Sequence, residues 1–245
     1  TNTPADPLPR SGTRTYPRQR AFPLEIASPL SQPQPVHVPV LLDEVVQWLA
    51  PAPGAVLVDG TLGAGGHSQA LAQRVGPEGK VISLDRDPAA VEAARTNLAG
   101  LPVVVAWGSF ADLPEVLAEL GIGPVDGVVL DLGLSSDQLA DPNRGFSFDC
   151  DGPLDLRFDT TAGVPAWRLL GRLSAEHLAD LIYQYGEERH SRRIGRAVFE
   201  RRQQGKPVRT ASELAALVRR CVPHRPGDRI DPATRTFQAL RIAVN

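Results

Sequence analysis

The stretch VDGTLGAGGHSQALAQ, residues 58–73, sets four glycines between an apolar run and a run with helical spacing. Glycine inside a strand or helix is destabilising, so this concentration marks a turn whose backbone must approach something closely. Residues 55–59 (AVLVD) read as a short buried strand, and HSQALAQRV reads as a helix stopped by Gly76-Pro77. A turn that leaves a strand and opens a helix exposes unpaired N–H groups at the helix N-terminus. In open parallel sheets, ligands sit beyond the carboxyl ends of the strands, where strand order reverses. Gly63-Ala64-Gly65-Gly66-His67 is therefore read as a cradle for a small ligand, against the alternative of an empty flexible turn.

Working outward, PVLLDEVVQWLA has helical spacing, and strands and helices then alternate. KVISLD (80–85), PVVVAW (102–107) and DGVVLDLG (126–133) read as strands. A helix capped by Asp87 with Pro88 at its first position runs to about Leu98, and DLPEVLAEL forms another, ended by Gly121. Near-continuous apolar strands alternating with helices predict an α/β fold, with a doubly wound, mainly parallel, Rossmann-like sheet covered on both faces. After Gly133 the alternation gives way to a Gly-, Asp- and Phe-rich loop over 134–160. Helical segments follow near 174–185, 187–204 and 210–221, the last opened by a capping-box spacing, Thr210 to Glu213. Asp231-Pro232 reads as the start of a final helix. The chain stops inside the apolar pattern ALRIAVN, with no return strand, which suggests a fragment of a longer protein whose further C-terminal strands are missing. Residues 1–35 hold eight prolines and no hydrophobic period and read as a disordered leader. Four arginines there would also suit an organelle transit peptide, but the prolines oppose the amphipathic helix that one needs. The organisation expected is a leader (1–35), a ligand-binding core of four strands (36–135), an inserted helical, Arg-rich domain (136–230) and a return helix of the core (231–245).

No apolar run approaches the roughly 20 residues a membrane helix needs, and no secretory signal pattern is present. Cys150 and Cys221 make neither a disulfide framework nor a metal-type pair, so a reducing, cytoplasmic compartment is expected, with no metal and no membrane partner. The oligomeric state is open, a homodimer included. The net charge of −2 hides an asymmetry: residues 36–135 carry 4 basic and 12 acidic side chains, residues 136–245 carry 18 and 14. Ten basic residues fall within 189–220, nine of them arginine, which matches phosphate geometry bidentately. The alternative is a solvated helical face. The charge alone puts nucleic acid among the partners to consider.

Gly63-x-Gly65 would begin a dinucleotide fingerprint, but Ser68 stands at the third glycine position, so the match is incomplete. Asp85 ends the second strand 22 residues beyond Gly63, where a carboxylate accepts both ribose hydroxyls of an adenosine. The negative charge of Asp59 beside the cradle disfavours a pyrophosphate and tips the reading toward S-adenosylmethionine. Phe110 is placed to lie against an adenine, or to pack in the core. Asp59, Asp85, Asp126 and Asp131 fall at the ends of the four strands. A nicotinamide-dependent oxidoreductase shares the glycine turn and Asp85, and a non-catalytic RNA-binding module shares the arginines. Both remain alternatives.

The runs HVPVLL, DGTLGAGGHS, LDRDP, DGVVLDLGLSS, RGFSF, DGPLDLRFD, YGEER and PATRTFQALRIAVN together resemble the bacterial 16S ribosomal RNA cytosine-N4 methyltransferases, the RsmH (MraW) family, from about residue 36 to 245. The resemblance implies an S-adenosylmethionine-dependent enzyme methylating N4 of a cytidine in the decoding centre of the small ribosomal subunit. It implies cofactor contacts from Gly65, Gly66, His67, Asp85, Phe110, Asp131 and Gln138, and a helical domain inserted after the fourth strand. The chain departs from the family at Leu156 and Phe158, where LDMRMD is usual, and at Ala140, where aspartate is common. Methyl transfer to an amine needs the reacting atoms in line at about 3–3.5 Å, and Asp131 is the candidate acceptor for the amino hydrogens. A base must leave its stack to be reached, and Phe146 and Phe148 are candidates to stack on it, or to plug their loop into the core. Arg144 and Arg157 either hold phosphates or pair with Asp155 and Asp159. Arg192 and Arg193 are the expected RNA contacts of the helical domain.

Overall fold

The computed structural model describes residues 39–223 and 230–245. The expected leader and His37 lie outside them. In chain order the elements are α1 (Leu42–Leu49), β1 (Val56–Asp59), α2 (Gly66–Val75), β2 (Lys80–Asp85), α3 (Pro88–Asn97), β3 (Val103–Trp107), a 3₁₀ turn (Phe110–Asp112), α4 (Leu113–Glu119), β4 (Gly127–Val129) and α5 (Ser136–Ala140). Five further helices follow: α6 (Ala166–Arg172), α7 (Ala175–Gly186), α8 (Ser191–Gln203), α9 (Ala211–Cys221) and α10 (Thr234–Val244).

The strands pair in parallel in the order β3-β2-β1-β4. Alternation decides what each face buries. Leu57 and Val81 pack with Leu71, Ala72 and Val75 of α2, while Val58, Ile82 and Leu84 face Leu113, Val116 and Leu117 of α4. Val103 and Val105 meet Ala94 and Leu98 on the α3 side. Both faces of β1 and β2 are thus covered, which is why these strands read as continuous apolar runs, while β3 is half-buried and Val128 of β4 is exposed. Strand order reverses between β1 and β4, and this places a crevice at the carboxyl ends of β1, β2 and β4.

The fourth strand is shorter than the run 126–133 suggests. Gly60 N–H donates to Val129 O at 3.0 Å. There β1 turns into the glycine loop, so residues beyond Val129 have no strand to pair with. Asp126 lies at the opposite end of the sheet from the crevice. Its Oδ2 accepts the Val56 N–H at 2.8 Å, which removes it from the strand-end acids expected to face a ligand.

The helices after β4 surround their own core of Leu154, Leu178, Ile182, Ile194, Leu214, Val218, Phe237 and Leu240. Helix α10 places Phe237 and Leu240 in this cluster, so residues 231–245 pack with the helical segment and not, as a return helix would, on the sheet. Its start also differs. Asp231 O and Oδ1 accept from Thr234 and Ala233, forming a turn before α10 instead of a direct cap. Helix α6, opened after Pro165, falls between the expected loop and the first expected helix. Among the described residues no helix is long and apolar enough to cross a membrane.

Helices α7 and α8 meet at Gly195, where an added Cβ would lie 2.5 Å from Ala175 O and 3.1 Å from Ala179 N. Neither backbone atom can swing aside. Gly195→Ala is therefore expected to destabilise by about 1–3 kcal/mol, in spite of the gain in helix propensity. Gly171→Ala in α6, with nothing within 4 Å of the new methyl, is expected to be neutral or mildly stabilising. Urea-denaturation midpoints of the two variants check the difference.

Candidate functional site

A cavity of about 570 Å³ opens at the carboxyl ends of the strands. Its wall is built by the glycine turn (Gly60–Ala64, Gly66, His67), Asp85 and Arg86 after β2, Ser109 and Phe110 after β3, and Asp131–Gln138 after β4. Phe158, Arg241 and Asn245, from the helical segment, close the remaining side. The size falls within the range of small-molecule sites.

The glycine turn shows what each missing side chain permits. Gly65 caps α2 with φ of 87°, a left-handed conformation in which a Cβ is strained. Gly66 has Pro39 where its Cβ would stand. The close approach demanded by the turn is thus partly made by the protein itself, and His67 seals it by pairing Nε2 with Val40 O at 3.1 Å. No side chain caps α2. The first N–H groups of this helix, unpaired by helix geometry, are left beside the cavity.

Asp85 joins the turn to the sheet. Its Oδ2 accepts the Gly63 N–H at 2.8 Å and its Oδ1 accepts the Asp87 N–H at 2.9 Å. A carboxylate offers about four lone-pair sites, so acceptor capacity remains for a ligand. Burial pushes the Asp85 carboxyl above its ordinary value, the N–H bonds from Asp87 and Gly63 pull it back, and the Asp87 charge adds to the rise. Asp59 behaves otherwise. It is fully buried and accepts from Ser68 Oγ at 2.6 Å and Thr61 N–H at 3.1 Å. Burial raises its carboxyl too. It does not line the cavity, so the charge expected from Asp59 beside the cradle comes from Asp131 instead. Asp131 is exposed on the cavity wall, its N–H held by Thr61 Oγ1 at 2.7 Å. Ser68, at the third glycine position of a dinucleotide fingerprint, is spent on Asp59 and Ser83.

Of the seven residues expected to bind a cofactor, Gly66, His67, Asp85, Phe110, Asp131 and Gln138 share the cavity wall, and Gly65 stands just behind it as the cap of α2. Phe110 is 42% exposed, so its ring is available to a ligand. Gln138 sits in a capping box with Ser135, and its Nε2 donates to Asp87 Oδ2 at 3.3 Å. Ser135 and Gln138, three residues apart, carried that signal in the sequence. Phe158 and Arg241 were missed, because nothing local links positions so distant in the chain, and Arg86 was missed although it directly follows Asp85.

The residues expected to touch RNA divide sharply. Arg144 is buried, with Nη1 2.8 Å from Asp87 Oδ2 and Nη2 donating to the carbonyls of Arg157 and Phe158 at 2.9 and 2.8 Å. Its partner is thus Asp87, not Asp155 or Asp159, and it has no reach to a phosphate. Arg157 is held bidentately by Asp155 at 2.6 and 2.7 Å. Phe146 is buried and stacks on Phe158 with centroids 5.8 Å apart, and Phe148 meets Phe237 edge-on at 4.7 Å. Both plug their loop into the helical core and are withdrawn as base-stacking groups. Arg192 and Arg193 are exposed on α8, in a stripe with Arg189 and Arg196. Other arginines of the basic run are structural: Arg201 pairs with Glu213, and Arg202 caps the carbonyls of Leu170, Gly171 and Leu173.

Residues 154–158 carry one strained position. Leu156 has φ of 65° and is held there by its N–H to Arg144 O and by Asn245 Nδ2 to its carbonyl. A branched residue in this region is destabilised by roughly 1–2 kcal/mol. Two residues on, Phe158 lines the cavity.

The MraW methylase family matches residues 34–245. The ribosomal RNA small subunit methyltransferase H of Thermomicrobium roseum is 48% identical over 224 residues, 91% of this chain and 67% of that protein. Proteins of the same name from Syntrophotalea carbinolica and Rhodospirillum centenum are 49% and 50% identical, over 85% and 86% of this chain and 67% and 63% of theirs. The chain spans about two thirds of the length of these curated relatives.

Removing one partner of a buried pair leaves the other charge uncompensated. Arg144→Ala strands the buried Asp87 carboxylate and two carbonyls, and a loss of about 3–5 kcal/mol in folding stability is expected. Arg144→Lys, a point charge without the planar fork, is expected to recover only part of it. Chemical denaturation with far-ultraviolet circular dichroism measures both.

Proposed function

Since the chain belongs to the MraW methylase family, we propose that it is an S-adenosylmethionine-dependent methyltransferase that modifies N4 of a cytidine in the decoding centre of 16S ribosomal RNA. The observation that carries the reading is the cavity in which the Asp85 carboxylate, bonded to the glycine turn, faces Phe110, Asp131 and Gln138. The relatives, named as ribosomal RNA small subunit methyltransferases, support the substrate class.

The cofactor supplies a methyl group on a sulfonium. The residues present fit such a ligand. The uncapped end of α2 suits an amino-acid carboxylate, Asp85 suits a ribose diol, and the exposed ring of Phe110 suits a flat base. A pyrophosphate fits less well, because the third glycine position is a buried serine bonded to Asp59. This sets the nicotinamide alternative aside.

The amino nitrogen of cytosine is a weak nucleophile, since its lone pair is delocalised into the ring. A hydrogen-bond acceptor on its hydrogens localises that pair. Asp131 fills this role in our reading. Its backbone is fixed by Thr61 Oγ1, and its carboxylate stands on the cavity wall nearest β4. The exposed stripe Arg189, Arg192, Arg193 and Arg196 holds RNA phosphates outside the cavity.

Tritium transfer from labelled S-adenosylmethionine to small-subunit particles tests the whole reading, and absence of incorporation overturns it. Asp85→Ala is expected to weaken cofactor binding roughly 100-fold, because two bonds to a charged acceptor are lost. The wild-type affinity should also fall on acidification. Burial raises the Asp85 carboxyl above 3.8, so its proton is taken up before that pH is reached, and the protonated acid accepts poorly. Folding has the opposite sign. This group favours the folded chain most below 3.8, and the contribution falls as pH rises through the folded-state value. Titrating cofactor affinity against pH should show the acid limb in the wild type and none in Asp85→Asn.

Arg192→Ala with Arg193→Ala is expected to leave cofactor affinity unchanged and to weaken RNA binding, with a salt slope shallower by about 1.4. Filter binding across a salt series reads it.

A further inference from the structure

Two arginines on the cavity wall have no part in the chemistry above. Arg241 comes from the last turn of α10, and Arg86 follows β2. Asn245 touches both residues, the side chain of Arg86 and the backbone of Arg241. Arg86 Nη1 donates to Asn245 O at 2.5 Å, and Asn245 Nδ2 donates to Arg241 O at 2.8 Å. The same side chain accepts the Phe158 N–H at 2.7 Å, so the group sits beside another cavity residue.

Neither arginine lies within 4.0 Å of an Asp or Glu carboxylate among the described residues, unlike Arg144, Arg157, Arg201 and Arg219. Arg241 is half-buried, and its guanidinium makes no hydrogen bond among the described residues. Burial alone moves its pKa, downward, with no acid nearby to oppose the shift. A partly desolvated cation without a counter-ion is unfavourable. The arrangement makes sense where the counter-ion arrives with the ligand.

Arginine selects planar or tetrahedral oxyanions. Two sources are available, the carboxylate of the cofactor and a phosphodiester of the substrate. The carboxylate already has the uncapped end of α2, on the β1 side of the cavity. The arginines stand beyond Asp85, on the β2 side and against the helical segment. The sheet portion is also strongly acidic, with 4 basic side chains against 12 acidic over residues 36–135. Of those four only Arg86 lines the cavity. A polyanion drawn to this wall needs such a cation there.

We infer that Arg241 and Arg86 form a clamp for an RNA phosphodiester at the cavity wall, holding the backbone of the nucleotide whose base enters. The inference rests on the RNA methyltransferase reading. It is distinct from the α8 stripe, which lies outside the cavity.

The test compares wild type with Arg241→Gln, Arg86→Gln and the double variant in methyl transfer to small-subunit particles at saturating S-adenosylmethionine. Cofactor affinity and melting temperature are measured alongside. Each single variant is expected to raise KM for the particle roughly tenfold or more, and to make the salt slope of RNA binding shallower by about 0.7, with cofactor affinity unchanged. Arg241→Lys, which keeps the charge, is expected to keep the wild-type slope. If wild type transfers no methyl group, the functional reading itself fails before the variants are compared. If wild type is active and the glutamine variants retain KM and slope, the clamp is overturned and the function stands. Lost cofactor affinity with an unchanged KM for the particle would assign the oxyanion to the cofactor's carboxylate and also overturn the clamp. Should Arg86→Gln unfold, Arg241→Gln against Arg241→Lys still decides the matter.

Discussion

Asp87 holds the sheet and the helices after β4 in one frame. Its Oδ1 caps α3 through Ala89 N–H, its Oδ2 receives Arg144 and Gln138, and its own N–H goes to Asp85. Arg144 carries the connection onward to the carbonyls of Arg157 and Phe158. Buried pairs of this kind add little net stability over an apolar pair, since both charges lose water. Their effect is geometric. Every partner of the Asp87 carboxylate is a donor, so a shift of that group would strand several of them at once.

The cavity inherits its shape from that constraint. Asp85 is set by Gly63 on one side and Asp87 on the other. Gln138 is set by Asp87 and its capping box, and Phe158 by Arg144 below and Asn245 above. Residues from β2, the β4 loop and the helical segment are thus positioned through one carboxylate rather than separately. The strain at Leu156 is tolerated because its N–H and its carbonyl both have partners.

Local signals were legible in the sequence and distant pairings were not. The strand 80–85, the helix opened by Asp87-Pro88, the glycine turn and Asp85 each announce themselves within a few residues. Six of the seven expected cofactor contacts share one wall because strand ends in a parallel sheet converge. The errors have one physical source. Arg144 sits two residues from Phe146 in a loop that looks like a binding loop, but its partner, Asp87, is 57 positions away. Asp59 and Asp126 look like Asp131 in sequence, yet one is buried against Ser68 and the other pins the far end of the sheet. Helix α10 reads as a plain amphipathic segment, and only the fold shows which core receives its apolar side.

The position of the helical segment follows from the sheet. Chain that leaves a parallel strand at its carboxyl end emerges on the ligand side, and chain that leaves a helix toward the next strand emerges on the other. A segment placed directly after β4 therefore starts at the crevice, beside the point where strand order reverses. Its charge is of opposite sign to that of residues 36–135. The cavity lies where these two potentials meet. Asp85 and Asp131 face it from the strand ends, and Arg241 faces it from α10. A ligand with a cationic centre and a ligand with an anionic backbone can then lie side by side, each against the wall that favours it.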